Sequence, residues 1–381
     1  MQILGPVQDM LLRSLFYIKF VIVFPEFISC RDLYMTKNVT IKDIAAEAGV
    51  SIALVSFVMN NRTEPDGRKK YRVSEATRDK ILEVARRLEY QPNPAARTLR
   101  KGKSRVIGAV FSDISNVFYG EIAREMEDLA FRHGYTVLIG STDELPEKLD
   151  NIVSSFIDKG VDGFIVVPCE GSEKSIGRIL RSNIPLVFLD RRNMDLPAPK
   201  VVLDNRDAMR NAVRLLEESG ARDIEMLSFT MRVSSIVERE EGFMSRMSEL
   251  GFTDCDRRIH RIPFHNQMGY VQNAIADICS RGVDGLVFAT NYLTISSIKV
   301  LNTMGIRIQD DIKVVGFDNS DVYELFNPPI PYVRQPIPSM CRIAMDYVFR
   351  LIDGEIKQES QIITLDSETV MSMPSDSHFV R

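Results

Sequence analysis

From residue 105 onward the chain alternates short β-rich apolar runs with helical stretches, and this alternation constrains the fold more than any other feature. The runs are "RVIGAVF", "YTVLIGS", "DGFIVVP", "PLVFLD", "KVVLD", "IEMLSF", "DGLVFAT" and "IKVVGFD". Helical periodicity lies between them, for example at 119–133, 205–219 and 238–250. Near-continuous apolar strands separated by helices predict parallel, doubly wound sheets covered on both faces. One phrase occurs twice, "KGVDGFIVVP" from Lys159 and "RGVDGLVFAT" from Arg281. Each reads as a helix end, a turn and a buried strand, so the echo predicts two similar lobes.

Ligands of doubly wound sheets bind at the carboxyl ends of the strands. Asp113, Asp190 with Arg191, Asp204 with Asn205, Asn291, and Asp318 with Asn319 all sit at such ends. Carboxylates and amides in this arrangement suit a polyhydroxyl ligand, because each can bond hydroxyl groups. Phe118 and Tyr119 could stack on its apolar face. Taken singly, each of these also reads as a helix cap or turn residue; five positions in register argue for a site. No GxSxG, Walker A or dinucleotide fingerprint is present, so no enzymatic activity and no cofactor are expected.

Ahead of this body lies a block of opposite charge. Between Thr36 and Arg105 there are sixteen Lys and Arg against eight Asp and Glu, an excess of eight positive charges. The first 35 residues cancel. With a chain total of −4, the remainder carries −12. A basic block on an acidic body suggests a polyanion-binding module. Five dispersed cysteines (Cys30, Cys169, Cys255, Cys279, Cys341) and four histidines without ligand spacing argue for a reducing compartment, no disulfide framework and no metal site.

Within the basic block Thr40 caps a first helix, Gly49 ends it, and Ser51 caps a second helix from Ile52 to Met59. Ser74 caps a third that runs to Tyr90. Helix, tight turn and helix form a helix-turn-helix. The second helix is read with Leu54, Val55, Val58 and Met59 on its core side. Ile52, Ala53, Ser56, Phe57 and Asn60 fall on the other. Apolar side chains there could meet thymine methyls, and Ser and Asn could bond phosphates. The competing reading packs Phe57 into the core under the basic loop that contains Arg68, Lys69, Lys70 and Arg72. In "YQPNPAARTLRKGKSR", Asn93 caps and Pro94 opens a helix of about one turn, too short to stand alone in water. Leu99 on it could wedge into a minor-groove base step; the plain alternative is a linker with one exposed Leu.

The segment "TIKDIAAEAGVSIALVSFVMNN…VSEATRDKILEVARRLEYQPNPAARTL" resembles the headpiece and hinge of the lactose-repressor (LacI/GalR) family of bacterial transcription regulators. "DISNVFYGEI", "GVDGFIVVP", "FLDR", the RxxGF of Arg239 to Phe243, "VVGFDNS" and "VRQPIPSMCRIAMDYVFRLIDGE" resemble its periplasmic-binding-protein-like core. The resemblance implies an all-α helix-turn-helix headpiece (36–92), a hinge helix and linker (93–104), and an α/β core of two doubly wound parallel-sheet lobes for effector binding and dimerisation (105–381). It implies that Ile52, Ala53 and Phe57 read bases, and that Thr40, Ser51, Ser56 and Asn60 contact phosphates. Asn93, Ala96 and Leu99 fall in the DNA-contacting hinge. Phe118, Tyr119, Asp190, Arg191, Arg239, Asn291 and Asp318 fall at effector contacts. The implied protein is a cytoplasmic homodimer on a pseudo-palindromic operator, a repressor under allosteric control by a small molecule of the sugar class, with no metal, cofactor or membrane partner. The sequence departs from the family pattern at Phe57, at Tyr292, where an acidic residue is common, at Cys341, where Gly is common, and in the ending "DSETVMSMPSDSHFVR". A sugar-binding receptor without a DNA role is the alternative; the basic headpiece opposes it.

Residues 1–35 contain the interrupted apolar stretch "LLRSLFYIKFVIVFPEFISC". Its longest uncharged run is far short of the roughly 20 residues that span a bilayer. Translation is expected to start at Met35, with a membrane-associating leader as the runner-up. Mass spectrometry of the native N-terminus is expected to find Met35 first; a native peptide from upstream of it would overturn this.

Overall fold

The structure is a computed structural model that describes residues 39–59, 73–90, 102–192, 195–265 and 267–371. It divides into a unit ending at Gly102 and a larger one beginning at Lys103.

The smaller unit has three described helices, α1 (Ile41–Ala48), α2 (Ile52–Met59) and α3 (Glu75–Arg87). Thr40 starts α1: its backbone N–H and its hydroxyl both donate to Asp43 Oδ2, at 2.8 and 2.7 Å. This satisfies groups that the first turn would leave open. Gly49, at φ +68°, turns the chain, and Ser51 Oγ accepts from Leu54 N at the start of α2. Ser74 caps α3 through Thr77 N, and α3 ends at Arg87, three residues before Tyr90. Ile44, Ala45, Ala48, Val55, Phe57, Val58, Ile81, Val84 and Ala85 make one shared core.

The expected faces of α2 need one correction. Phe57 is only 6% exposed and belongs to this core, whereas Leu54 and Met59 are half-buried. The reason is packing on two sides. An eight-residue helix wedged against both α1 and α3 buries a wider arc than one neighbour would require. A phenyl ring at the edge of that arc gains more from burial than any other side chain on the helix. The basic loop and the hinge helix lie outside the described residues.

The larger unit has two six-stranded sheets. In the first lobe are β1 (Val106–Phe111), β2 (Thr136–Ser141), β3 (Gly163–Val166), β4 (Leu186–Leu189), β5 (Pro199–Leu203) and β11 (Gln361–Leu365). Their order is β11-β5-β4-β3-β1-β2, all parallel. In the second are β6 (Ile224–Phe229), β7 (Ile259–Ile262), β8 (Gly285–Phe288), β9 (Lys313–Phe317), β10 (Tyr332–Arg334) and β12 (Glu368–Val370). Their order is β12-β10-β9-β8-β6-β7, parallel except for β12 against β10. Strand for strand, the second lobe repeats the first from β6 to β10. The helices that carry the site are α4 (Val117–Arg132), α7 (Asn205–Glu218), α8 (Ser234–Glu249), α9 (Gln267–Ser280) and α10 (Asn291–Thr303). Between them α5 (Pro146–Asp158) and α6 (Glu173–Arg181) cover one face of the first sheet, and α11 (Ile337–Ile352) returns to pack with α4 on the other.

The repeated "GVDG" has a physical role in each lobe. Asp162 accepts from the backbone N–H groups of Ser104 and Arg105 at 2.7 and 2.8 Å, where the chain enters β1. Asp284 does the same for Arg222 and Asp223 at 2.9 and 2.8 Å, where it enters β6. The first Gly of each phrase, Gly160 and Gly282, turns with positive φ. The second allows close packing: a Cβ on Gly163 would come within 2.7 Å of Val348, and one on Gly285 within 2.9 Å of Ala221.

Helices α7 and α8 approach closely at Gly242, where a Cβ would stand 2.3 Å from the backbone oxygen of Arg206. Backbone cannot swing aside, so Gly242→Ala is expected to cost about 1–3 kcal/mol and lower the calorimetric melting temperature of the core. An unchanged melting temperature would show that the two helices slide freely. Phe57→Ala is expected to remove about 3–5 kcal/mol from the headpiece core. Specific DNA binding would then disappear while the core transition stays in place; retained binding would return Phe57 to the surface.

Candidate functional site

The two lobes enclose a cleft of about 910 Å³ at the carboxyl ends of both sheets. Parallel strands dictate this position, because every strand of a sheet delivers its last residue to the same edge. Six of the seven residues expected at the ligand line it: Phe118, Tyr119, Asp190, Arg191, Arg239 and Asp318. The seventh, Asn291, stands behind. Its backbone N–H donates to Asp318 Oδ2 at 3.3 Å and its Nδ2 to Tyr323 Oη at 3.2 Å. Of the other strand-end residues, Asp113 lines the cleft. Asp204 caps α7 through Asp207 N, Asn205 is buried behind Arg239, and Asn319 accepts from Tyr332 Oη and donates to Glu121.

Asp190 and Asp318 are counterparts. They follow β4 and β9, which occupy the same place in their lobes, and both take up left-handed backbone, at φ +67° and +66°. Each donates its N–H to the neighbouring strand, to Val201 O and Val333 O, both at 2.9 Å. A non-glycine residue enters this region at a cost of about 1–2 kcal/mol, and such strain gathers at functional sites. Both carboxylates are 4% exposed.

On the first lobe Tyr119 Oη donates to Asp190 Oδ2 at 3.0 Å. Burial, with the Asp190 charge beside it, pushes the Tyr119 phenol far up, which keeps it a neutral donor. Arg191 forks onto Glu144, with Nη1 to Oε2 at 2.9 Å and Nη2 to Oε1 at 2.5 Å. Its Nη1 also donates to Pro168 O at 2.9 Å. Burial is the largest influence and lowers the guanidinium's pKa, but Glu144, Tyr119 and Asp190 together outweigh it and the pKa rises. On the second lobe Gln335 Nε2 donates to Asp318 Oδ1 at 2.6 Å. Burial raises the Asp318 pKa against the opposing pull of Arg239 and Gln335, and the charge of Asp190 adds to the rise. Arg239 donates from Nε to Asn205 at 2.8 Å and from Nη1 to Ala289 O at 2.6 Å. Its guanidinium lies 4.0 Å over the Phe317 ring.

The lining includes groups the sequence reading passed over: Glu144, Gln335, His265, Phe229 and Phe264. The strand-end rule reaches Asp143 and Glu144 if extended past β2, and nothing in the sequence marks Gln335 because β10 is three residues long. Ties between the lobes run beside the cleft. Arg192 donates its N–H to Ser234 Oγ at 2.8 Å and its Nε to Glu238 Oε1 at 2.6 Å. Glu170 accepts from Arg232 N at 2.5 Å.

In the headpiece Thr40, Ser51, Ile52 and Ala53 are exposed, Ile52 at 44%, and Ser56 is half-buried. Asn60, Asn93, Ala96 and Leu99 lie outside the described residues. The four described cysteines, Cys169, Cys255, Cys279 and Cys341, are free thiols. Among the described residues no helix is long and apolar enough to cross a membrane.

Residues 40–93 match the model for bacterial regulatory proteins of the lacI family, and residues 213–370 match a periplasmic binding protein-like domain. An HTH-type transcriptional regulator, DegA of Bacillus subtilis, is 32% identical over 305 residues, covering 79% of this chain and 88% of that protein. The ribose operon repressor of Halalkalibacterium halodurans is 31% identical over 315 residues, 82% of this chain and 90% of the repressor. In fold the chain resembles the lac repressor dimer bound to operator and an anti-inducer, with TM-score 0.73 and 22% identity over 88% of this chain and 98% of that one. The DNA-binding match sets aside a receptor without a DNA role. The chain belongs to the LacI family of bacterial regulatory proteins, as a DNA-binding transcriptional regulator with a helix-turn-helix headpiece and a periplasmic-binding-protein-like core.

Proposed function

We propose that this protein is a cytoplasmic repressor that binds a pseudo-palindromic operator as a homodimer and changes its hold on that operator when a small polyhydroxyl molecule of the sugar class enters the cleft. The observation that carries the reading is the pair of matched, left-handed aspartates facing one cleft, each already oriented by a neutral donor, Tyr119 or Gln335. Such carboxylates have lone pairs left for ligand hydroxyls. The ligand acts on the DNA only through a difference in affinity between the two arrangements of the lobes. The ties at Arg192–Glu238 and Glu170–Arg232 are contacts that can differ between those arrangements.

The exposed face of α2 narrows what the headpiece reads. With Phe57 in the core, Ile52 and Ala53 are the apolar candidates for base contact, and they fit thymine methyls rather than guanine edges. Thr40, Ser51 and Ser56 are the proposed phosphate contacts among the described residues. Asn60, Asn93, Ala96 and Leu99 complete the proposed contact set on the strength of the family resemblance.

Selection of bound duplexes from a random pool by residues 35–381 is expected to recover a palindrome of two half-sites. Ile52→Ala is then expected to weaken binding by about 1–3 kcal/mol, relaxing preference at one thymine while the salt slope holds. Uniform weakening at every position would remove Ile52 from base reading. Smooth salt-dependent binding with no enriched sequence would overturn the operator itself. Asp318→Ala is expected to keep operator binding and abolish the response to any sugar that shifts the wild type; an unchanged response would move the site elsewhere.

A further inference from the structure

We propose that Glu144 sets the charge class of the ligand: by occupying both terminal nitrogens of Arg191 it makes the cleft a site for an uncharged polyhydroxyl molecule and closes it to phosphates and carboxylates. This rests on the small-molecule reading above and deepens it.

An anion entering a protein cleft looks for a guanidinium fork or for the free N–H groups of a helix N-terminus. Both devices are present here: a carboxylate holds the Arg191 fork, and the protein's own side chains cap the N-termini of α10 and α4. The Arg191 fork is bidentate on Glu144, and Pro168 O takes a further Nη1 hydrogen. Its Nε faces Asp190 Oδ2 at 3.5 Å. The Arg191 and Glu144 side chains are 5% and 9% exposed, so water screens this pair little. At the N-terminus of α10, the Asn291 N–H points at Asp318, where an outside anion would sit. At the N-terminus of α4, Asn116 Oδ1 accepts from Phe118 N.

What remains for a visiting anion is Arg239, the side chain of His265 and the first turn of α8, whose N-cap Val233 gives it no side-chain acceptor. Arg239 has given Nε to Asn205 and Nη1 to Ala289 O, which leaves Nη2 without a hydrogen bond among the described residues. Against these groups stand the carboxylates of Asp113, Asp143, Asp190 and Asp318 around the same cleft, Asp143 being paired with Lys148. A neutral ligand meets none of this repulsion, and its hydroxyls find acceptors at Asp190, Asp318 and Asp113. Aromatic faces at Phe118, Phe229 and Phe264 cover its apolar side. Glu144 is thus a resident anion in the place a ligand's own anion would take.

The test uses the full chain and inorganic phosphate, titrated by isothermal calorimetry against chloride at equal ionic strength. The wild type is expected to show no saturable phosphate binding in the millimolar range. Glu144→Gln removes the charge while keeping an acceptor for Arg191, and Glu144→Ala frees the fork. At least one of the two, folded by circular dichroism, is expected to bind phosphate roughly tenfold or more tightly than the wild type. Adding Arg191→Ala should abolish the gain. Saturable millimolar binding to the wild type overturns the proposal with no variant needed. So do folded Glu144→Gln and Glu144→Ala proteins that both gain nothing. Operator selection reads the regulator function separately, so a lost operator with a gained phosphate site would separate the two conclusions.

Discussion

A parallel strand cannot be joined to its neighbour by a hairpin, so each lobe must bring its chain back over the sheet through a helix. The consequence is directional. Every strand of β1 to β5, and of β6 to β10, ends at the same edge of its sheet, and the turns after those strands share that edge. With two such sheets facing, the ends of β4 and β9 come to one cleft. Asp190 and Asp318 are there because the strand direction leaves them nowhere else, and the ladder bonds to Val201 and Val333 fix their backbones. Asp162 and Asp284 support this from the other end by anchoring the chain where it enters β1 and β6.

The cleft carries a load that stability alone would not select. Burying a charge costs several kcal/mol unless it is paired and fully hydrogen-bonded. The cleft wall holds Asp190, Arg191, Arg239 and Asp318 nearly buried, each held by protein partners yet short of saturation. Arg191 Nε and Gln335 Oε1 are buried without a hydrogen-bond partner. Apolar residues of similar volume would pack such a wall more cheaply. An arrangement that leaves capacity unfilled makes sense where a ligand completes it, which is the trade between stability and function expected at binding sites.

The sequence made the centre of each sheet legible and most of the edges illegible, the edge strand β2 in "YTVLIGS" being the exception. Strands such as β3 and β4 are four-residue runs buried throughout, so hydrophobicity alone marks them. The edge strand β7 alternates Ile259 and Ile262 with the half-exposed His260 and Arg261. The outer strands β11 and β12 are mostly exposed and are not among the apolar runs that mark the sheets in the sequence. Six of the seven ligand candidates line the cleft because strand-end position is a local property. Asn291 stands one layer behind because it opens α10 with its N–H turned to Asp318, a detail of helix entry that spacing does not encode. Glu144 was missed for a related reason: its role exists only through Arg191, 47 residues away. Phe57 shows the limit of helical-wheel reasoning, since an eight-residue helix packed on two neighbours has no single polar face.

Glu238 and Arg239 show how a ligand can reach the arrangement of the lobes. They are consecutive on α8, yet Glu238 accepts from Arg192 of the first lobe while Arg239 lines the cleft. Asn205, where the chain enters α7 after leaving β5, joins them: its Nδ2 donates to Glu238 at 3.3 Å and its Oδ1 accepts from Arg239 at 2.8 Å. If the proposed ligand draws on Arg239, it pulls on the amide that also steadies Glu238, and Glu238 holds the tie to Arg192. Asn205 sits at one of the strands of chain that link the lobes, so a small shift there is felt by both. Coupling of this kind needs no long pathway, because the proposed binding group and the inter-lobe tie share the Asn205 side chain.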